Sequence, residues 1–249
     1  MTEISLLFMV AIFFVALLYA SVGHGGASGY LAVLSLGTFS TLEMASSALV
    51  LNLLVAGAAF IAFGVAKHFS WRLLLPFVAG SIPAAFLGGR LSVSPNLYGG
   101  LLAAILLLAA YRLWIRIGTA TEQVPTPPSL RVALPTGAGV GLLSGIVGVG
   151  GGIFLSPLLL LRQWANAKTT AAVSSAFILV NSLAGIAGRI SSGQFQPGLV
   201  ISLAGVAFSG GLLGAYFGAG RFSSTILKRL LAVVLLLASI KMILRLVST

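Results

Sequence analysis

The sequence predicts an all-α, polytopic integral membrane protein made of two homologous halves, and three observations predict it. Hydrophobic residues make up 59% of the chain and charged residues 7%, with a mean hydropathy of +1.13, outside the range of soluble domains. Most of the apolar residues fall in stretches of roughly 17–25, the length a helix needs to cross a bilayer. A glycine-rich turn also occurs twice: Val22-Gly23-His24-Gly25-Gly26 in the first half, and Val147-Gly148-Val149-Gly150-Gly151, followed by Gly152, in the second. Non-helical backbone survives in hydrocarbon only where protein buries it or where it lines a polar cavity. Two breaks in corresponding positions point to a transporter built from repeats, with its binding site at the breaks.

The first apolar run, Ile4–Ala20, follows Met1-Thr2-Glu3 and lacks the positive region of a signal peptide, so it reads as retained structure. The first glycine turn and a short run at 28–37 follow it. Runs at 44–65, 71–91 and 97–115 complete the first half, with Pro76 and Pro83 expected to kink the second of these. Residues 118–129, which carry Pro125, Pro127 and Pro128, are expected to form a cytoplasmic linker. The second half repeats the order with runs at 131–147, 152–162, 169–188, 197–218 and 226–247. The predicted division is a first transmembrane repeat over 1–117, the linker, and a second repeat over 130–249. Leu101–Ala109 resembles Leu230–Ala238, and Ser46-Ser47-Ala48 with Asn52 resembles Ser174-Ser175-Ala176 with Asn181.

The runs at 28–37 and 152–162 are too short to span. If each pairs with the preceding run as a Gly-broken helical hairpin, three spanning helices remain per half, and the halves are inverted. If the first run crosses fully and the short one is a re-entrant loop, four crossings per half make the halves parallel. Basic residues favour inversion, because cytoplasmic loops carry their excess. Inverted halves put Lys67, Arg72, Arg112, Arg116, Arg131, Arg162, Lys168, Arg221, Lys228 and Arg229 inside, leaving only Arg90, Arg189, Lys241 and Arg245 outside. Parallel halves divide them almost evenly. Small residues at four-residue spacing (Gly137, Gly141, Gly145; Ser81, Ala85, Gly89; Gly210, Gly214, Gly218) are expected to let helices pack closely.

The net charge of +11 does not signal nucleic-acid binding, because the basic residues sit at the ends of apolar runs, where they set orientation and meet anionic headgroups of membrane lipids. The absence of cysteine excludes disulfides and thiolate metal sites. No cofactor or metal site is predicted. The second glycine turn is not followed by Gly-Lys-Ser/Thr, so it is no phosphate loop, and uphill transport would draw on an ion gradient or a partner.

The turns suit an anion. A chain leaving Gly25-Gly26 or Gly150-Gly151-Gly152 into a short helix presents unpaired backbone N–H groups at the positive end of the helix dipole, and glycine lets successive amides form a concave nest. Gly23, His24, Gly25, Gly26, Gly148, Gly150, Gly151 and Gly152 are therefore the predicted substrate-binding core. Ser46, Ser47, Asn52, Ser174, Ser175 and Asn181 are added as polar groups inside spanning helices; the serine hydroxyls have the alternative of bonding the preceding turn's carbonyl. His24 can bind an anion when protonated or relay a proton, although a neutral, hydrogen-bonded ring is expected. Glu3 and Glu122 lie in terminal or linker positions, and Glu43 is expected to serve a helix start. No arrangement for catalysis is present, so no enzyme is predicted.

With these residues set out, the chain resembles the TauE/SafE sulfite exporter family of membrane permeases. Gly23, Gly25 and Gly26, then Gly148, Gly150, Gly151 and Gly152 followed by Pro157, and Ser-Ser-Ala in both halves carry the likeness over essentially the whole chain. The first turn departs from the pattern, with Ala27-Ser28 after its glycines and Ala32 where the second half has Pro157. The resemblance implies transport of a small sulfur-containing anion such as sulfite, thiosulfate or an organosulfonate, across a bacterial inner membrane. A secondary transporter working by alternating access, with a proton or sodium as the possible co-transported ion, is the leading reading. A passive anion channel and a non-transporting anion-sensing subunit are the alternatives. The anion, the direction of transport and the oligomeric state stay open at this stage.

Overall fold

A computed structural model describes residues 6–34, 37, 39–91, 107, 110–111, 114–115, 125–198 and 200–247. Most of the run at 97–115, all of Leu101–Ala109 except Leu107, and residues 118–124 of the expected linker lie outside the described residues. Among the described residues the secondary structure is helical, without strands. The helices are α1 (Leu6–Ser21), α2 (Ala27–Leu34), α3 (Thr41–Val65), α4 (Trp71–Arg90), α5 (Leu130–Val147), α6 (Gly152–Leu161), α7 (Ala167–Ser191), α8 (Val200–Tyr216) and α9 (Ser224–Val247). A π-helical turn, Phe217–Arg221, extends α8. Five of the described helices, α3, α4, α5, α7 and α8 with its extension, are long and apolar enough to cross a membrane. The chain is a multi-pass membrane protein.

Local chemistry sets the helix starts. Ser40 and Glu43 form a capping box at α3: the Ser40 hydroxyl accepts from the Glu43 amide, and the Glu43 carboxylate accepts from the Ser40 amide. This is the helix-start role expected of Glu43. Asn166 caps α7 by accepting from the Thr169 amide at 2.8 Å. Helix α4 runs unbroken through Pro76 and Pro83.

Helix α2 turns back beside α1. Tyr19 Oη lies 2.9 Å from Ser28 Oγ, Gly29 faces Val15 and Tyr19, and Phe39 meets Phe8 edge-on near the start of α1. The first half thus opens with a helical hairpin. Helices α3 and α7 cross the centre in opposite directions: Leu49 lies against Gly185, Gly57 against Leu179, and Ser46 bonds the chain just beyond α7. One face of the protein, face I, holds the start of α3 and the end of α7; face II holds the end of α3 and the start of α7.

Helices α4 and α5 form one close pair, and α1 and α8 another. A Cβ on Gly137, Gly141 or Gly145 of α5 would overlap the carbonyl oxygens of Phe77, Ser81 and Ala85 on α4. A Cβ on Gly210, Gly214 or Gly218 would overlap those of Phe13, Leu17 and Ser21 on and beside α1. Both pairs run parallel at backbone contact, the packing expected of those glycines. In lipid, where no hydrophobic force drives helices together, such close approach supplies the dispersion and Cα–H···O contacts that hold them.

These contacts separate neighbouring glycines of one helix. Gly141→Ala should destabilise the protein by at least about 1–3 kcal/mol through overpacking, whereas at Gly139 nothing lies within 4 Å of an added Cβ, and Gly139→Ala should be neutral or stabilising by up to about 1 kcal/mol. Thermal unfolding of the two variants in detergent checks this; equal midpoints would contradict the parallel glycine seam.

Candidate functional site

The site grows from the two helix breaks. Helix α1 closes with the Ser21 hydroxyl donating to the Leu18 carbonyl, and the chain then reverses through Gly23, at φ +77°, and Gly26, at φ +95°. Gly23 is pressed against the Ala171 carbonyl of α7, and Gly25 against the Asn52 side chain of α3. Helix α5 ends on Gly148, whose amide donates to the Ser144 carbonyl at 2.8 Å in a left-handed C-cap. Gly150 and Gly151 continue at φ +74° and +81°. Left-handed backbone of this kind strains any residue with a Cβ, and at Gly150 and Gly151 neighbouring side chains also crowd the space one would need.

Both breaks meet at Asn52. Its Oδ1 accepts from the Ala27 amide at 3.0 Å, which caps α2 and fixes the orientation of the side-chain amide. The Nδ2 end then faces the other break: a Cβ on Gly150 would lie 2.9 Å from Asn52 Nδ2 and 2.9 Å from Ser182 Oγ. Asn52 Nδ2 and Ser182 Oγ are both buried and have no hydrogen-bond partner. The Tyr30 hydroxyl, on the ring that packs against Gly26, is also buried without a partner. Helix α6 starts from Gly151 with no side-chain cap; the Phe154 and Leu155 amides both donate to the Gly151 carbonyl, and the Gly152 and Ile153 amides ahead of them have no intrahelical partner.

The chemistry of this arrangement follows from its inventory. Asn52 Nδ2, the Ser182 hydroxyl and the α6 amides are donors gathered at the positive end of a helix dipole. An unsatisfied buried donor costs about 1–3 kcal/mol, and a hydrogen bond to a charged group contributes about 1.5–3 kcal/mol. An oxyanion is the kind of group whose acceptors and negative charge would complement these donors.

A second polar chain joins the halves. His24 Nδ1 lies 3.1 Å from the Val22 carbonyl, and its Nε2 3.4 Å from Ser156 Oγ of α6. Ser156 donates to Ser174 Oγ of α7 at 2.7 Å. Because a carbonyl can only accept, the Val22 contact places the proton on Nδ1; with Ser156's one proton given to Ser174, Nε2 of a neutral ring touches Ser156 Oγ without a proton between them. His24 is 2% exposed, and Asn52 and Ser182 are fully buried: the breaks are enclosed from both faces.

The other predicted residues divide. Gly152 packs on Ile178 with His24 nearby. Ser46 lies towards face I, donating to the Gln194 carbonyl and accepting from the Gln196 amide, and thus anchors a loop. Ser47 is buried on α3. Ser175 donates to the Ala172 carbonyl in its own helix. Asn181 does not mirror Asn52: its Nδ2 donates to the Phe177 carbonyl of its own helix, and its Oδ1 has no partner. Three residues of the site escape sequence reasoning. Ser156 was visible inside the second glycine signature, just before Pro157. Ser182 follows Asn181 directly. Tyr30 carries no signal beyond lying in the short run.

Comparison with known proteins agrees with this architecture. The sequence profile of the family described as sulfite exporter TauE/SafE matches residues 8–242. A protein of Sinorhizobium fredii (strain NBRC 101917 / NGR234) described as "probable membrane transporter protein y4hK" is 36% identical over 241 residues, covering 94% of this chain and 96% of its own length. No solved structure matches the chain.

Ser182 supplies the sharpest test of the cradle. Its hydroxyl has no partner to lose, so Ser182→Ala should leave the unfolding midpoint unchanged or slightly raised. The same change should weaken oxyanion binding by about tenfold or more, as loss of a hydrogen bond to a charged group does. Titration of sulfite or thiosulfate against thermal stability reads both quantities at once; unaltered binding would remove Ser182 from the site.

Proposed function

The chain belongs to the sulfite exporter TauE/SafE family, and from that premise we propose that it carries a small sulfur oxyanion or sulfonate by alternating access around its paired glycine breaks. It is a multi-pass membrane transporter of the bacterial inner membrane. Sulfite, thiosulfate and small organosulfonates are the substrates in view, and a proton or sodium gradient drives uphill movement. The observation that carries the reading is the meeting of both breaks at Asn52, with an uncapped helix start and unpartnered donors on the side of Gly150.

Several features support the mechanism. The first break reaches Ala171, near the start of α7, and the second reaches Ala45, near the start of α3. They therefore approach the centre from opposite faces. Helices α3 and α7 run antiparallel, and α1 with α8 and α4 with α5 exchange partners between the halves. Inverted repeats produce this pattern, and they give two equivalent ways to open one central site. The basic residues at face II, among them Lys67, Arg72, Arg162 and Lys168, assign it to the cytoplasm. Enclosure of the site from both faces is what an occluded step of such a cycle requires, and an open pore would not have it.

Purified protein in proteoliposomes tests the proposal. It should concentrate labelled thiosulfate or sulfite against its gradient when an ion gradient is imposed. Gly25→Leu and Gly150→Leu should each reduce uptake to background while the protein still inserts and elutes as a folded species. Normal uptake by both variants would overturn the proposal; downhill flux with no accumulation would identify a passive channel instead.

A further inference from the structure

The second break has a cation beside it that the cradle does not use. Arg189, in the last turn of α7, is 7% exposed. Its Nη2 donates to the carbonyls of Gly145 and Ile146 at 3.4 and 3.2 Å and would lie 3.5 Å from a Cβ on Gly148. Its Nε is buried without a partner. The whole chain contains three carboxylates; among the described residues none pairs with Arg189, and Glu43 is held at the start of α3 by the Ser40 amide and hydroxyl.

The end of α5 does not neutralise this charge. A helix C-terminus presents the equivalent of roughly −0.5 charge, which leaves about half of the guanidinium charge uncompensated in a buried setting. Removing a charge from water costs several kcal/mol unless it is paired, and an ionisable group inside a membrane protein points first to function. Helix capping alone would be met by a neutral donor. The guanidinium fork also matches the paired oxygens of a sulfite, thiosulfate or sulfonate group more closely than an ammonium does.

We infer that Arg189 is a charge-selecting residue on the face I approach to the glycine cradle: it binds the sulfur oxyanion between the membrane surface and Gly150 and passes it to Asn52 and Ser182. This rests on the transport reading above and adds a residue outside the cradle. At the first break Gly23 meets the Ala171 backbone, and the cation near it, Lys168, is only partly buried and donates to the Ala219 carbonyl. Substrate therefore meets a buried guanidinium on face I and a partly exposed ammonium on face II, and the two openings of the cycle differ in affinity.

Three variants of the full-length protein, titrated with thiosulfate and sulfite by thermal shift and assayed in proteoliposomes, test the inference. Arg189→Gln keeps a donor for the α5 carbonyls but removes the charge. Ala45→Asp keeps Arg189 and its carbonyl bonds but sets a carboxylate on the residue whose backbone adjoins Gly148. Both should weaken apparent affinity by about tenfold or more with the maximal rate within about twofold, and Arg189→Lys should restore part of the loss. Ala45→Asp should also raise the melting point, because it pairs the buried cation. Wild-type affinity in Arg189→Gln or in folded Ala45→Asp overturns the inference and leaves the cradle standing. A role confined to capping α5 would lower the melting point of Arg189→Gln and leave Ala45→Asp binding normally. If the unaltered protein binds neither anion, the cradle and this inference fail together.

Discussion

In a bilayer, backbone N–H and C=O groups have no water to turn to, and every other feature of this fold answers to that constraint. The chain breaks its helices twice at depth, which is tolerable only if protein closes around each break. Each half does this for the other. The first turn is pressed on the Ala171 backbone of α7, and the second lies between Ala45, Asn52 and Ser182. The exchange of α1 onto α8 and α4 onto α5 through glycine seams brings the halves close enough for this mutual cover.

The breaks are alike in sequence but unequal in chemistry. Asn52 satisfies the α2 start with its oxygen, and that bond turns its nitrogen towards the start of α6. One helix end is thereby closed by the protein, and the other faces buried donors without partners. A single residue, Asn52, thus makes two similar glycine turns chemically different. Asn181, the expected partner of Asn52 by repeat, bonds its own helix instead. The likeness of the two sequence motifs does not extend to the hydrogen bonds their asparagines make.

This explains what could be read in advance. The spanning helices, the glycine breaks and the tight α4–α5 and α1–α8 seams follow from composition and spacing, because hydrocarbon leaves the chain few choices. The proposal of an anion as ligand follows from helix ends. What spacing does not carry is which side chains cross between the halves. Ser175 and Ser174 are neighbours in one motif, yet one bonds its own backbone and the other joins a chain to His24 through Ser156. Ser182 and Arg189 acquire meaning only once α7 lies beside the second break. In the sequence, Arg189 looks like an ordinary charge at a helix end.

Anomalous diffraction from crystals grown with selenite, a sulfite analogue whose selenium can be located directly, measures where the anion sits. A selenium peak is expected between the two breaks, with its oxygens in hydrogen-bond range of Asn52 Nδ2, Ser182 Oγ and the first amides of α6. A well-occupied peak elsewhere in the protein, with the breaks closed on themselves, would contradict that placement.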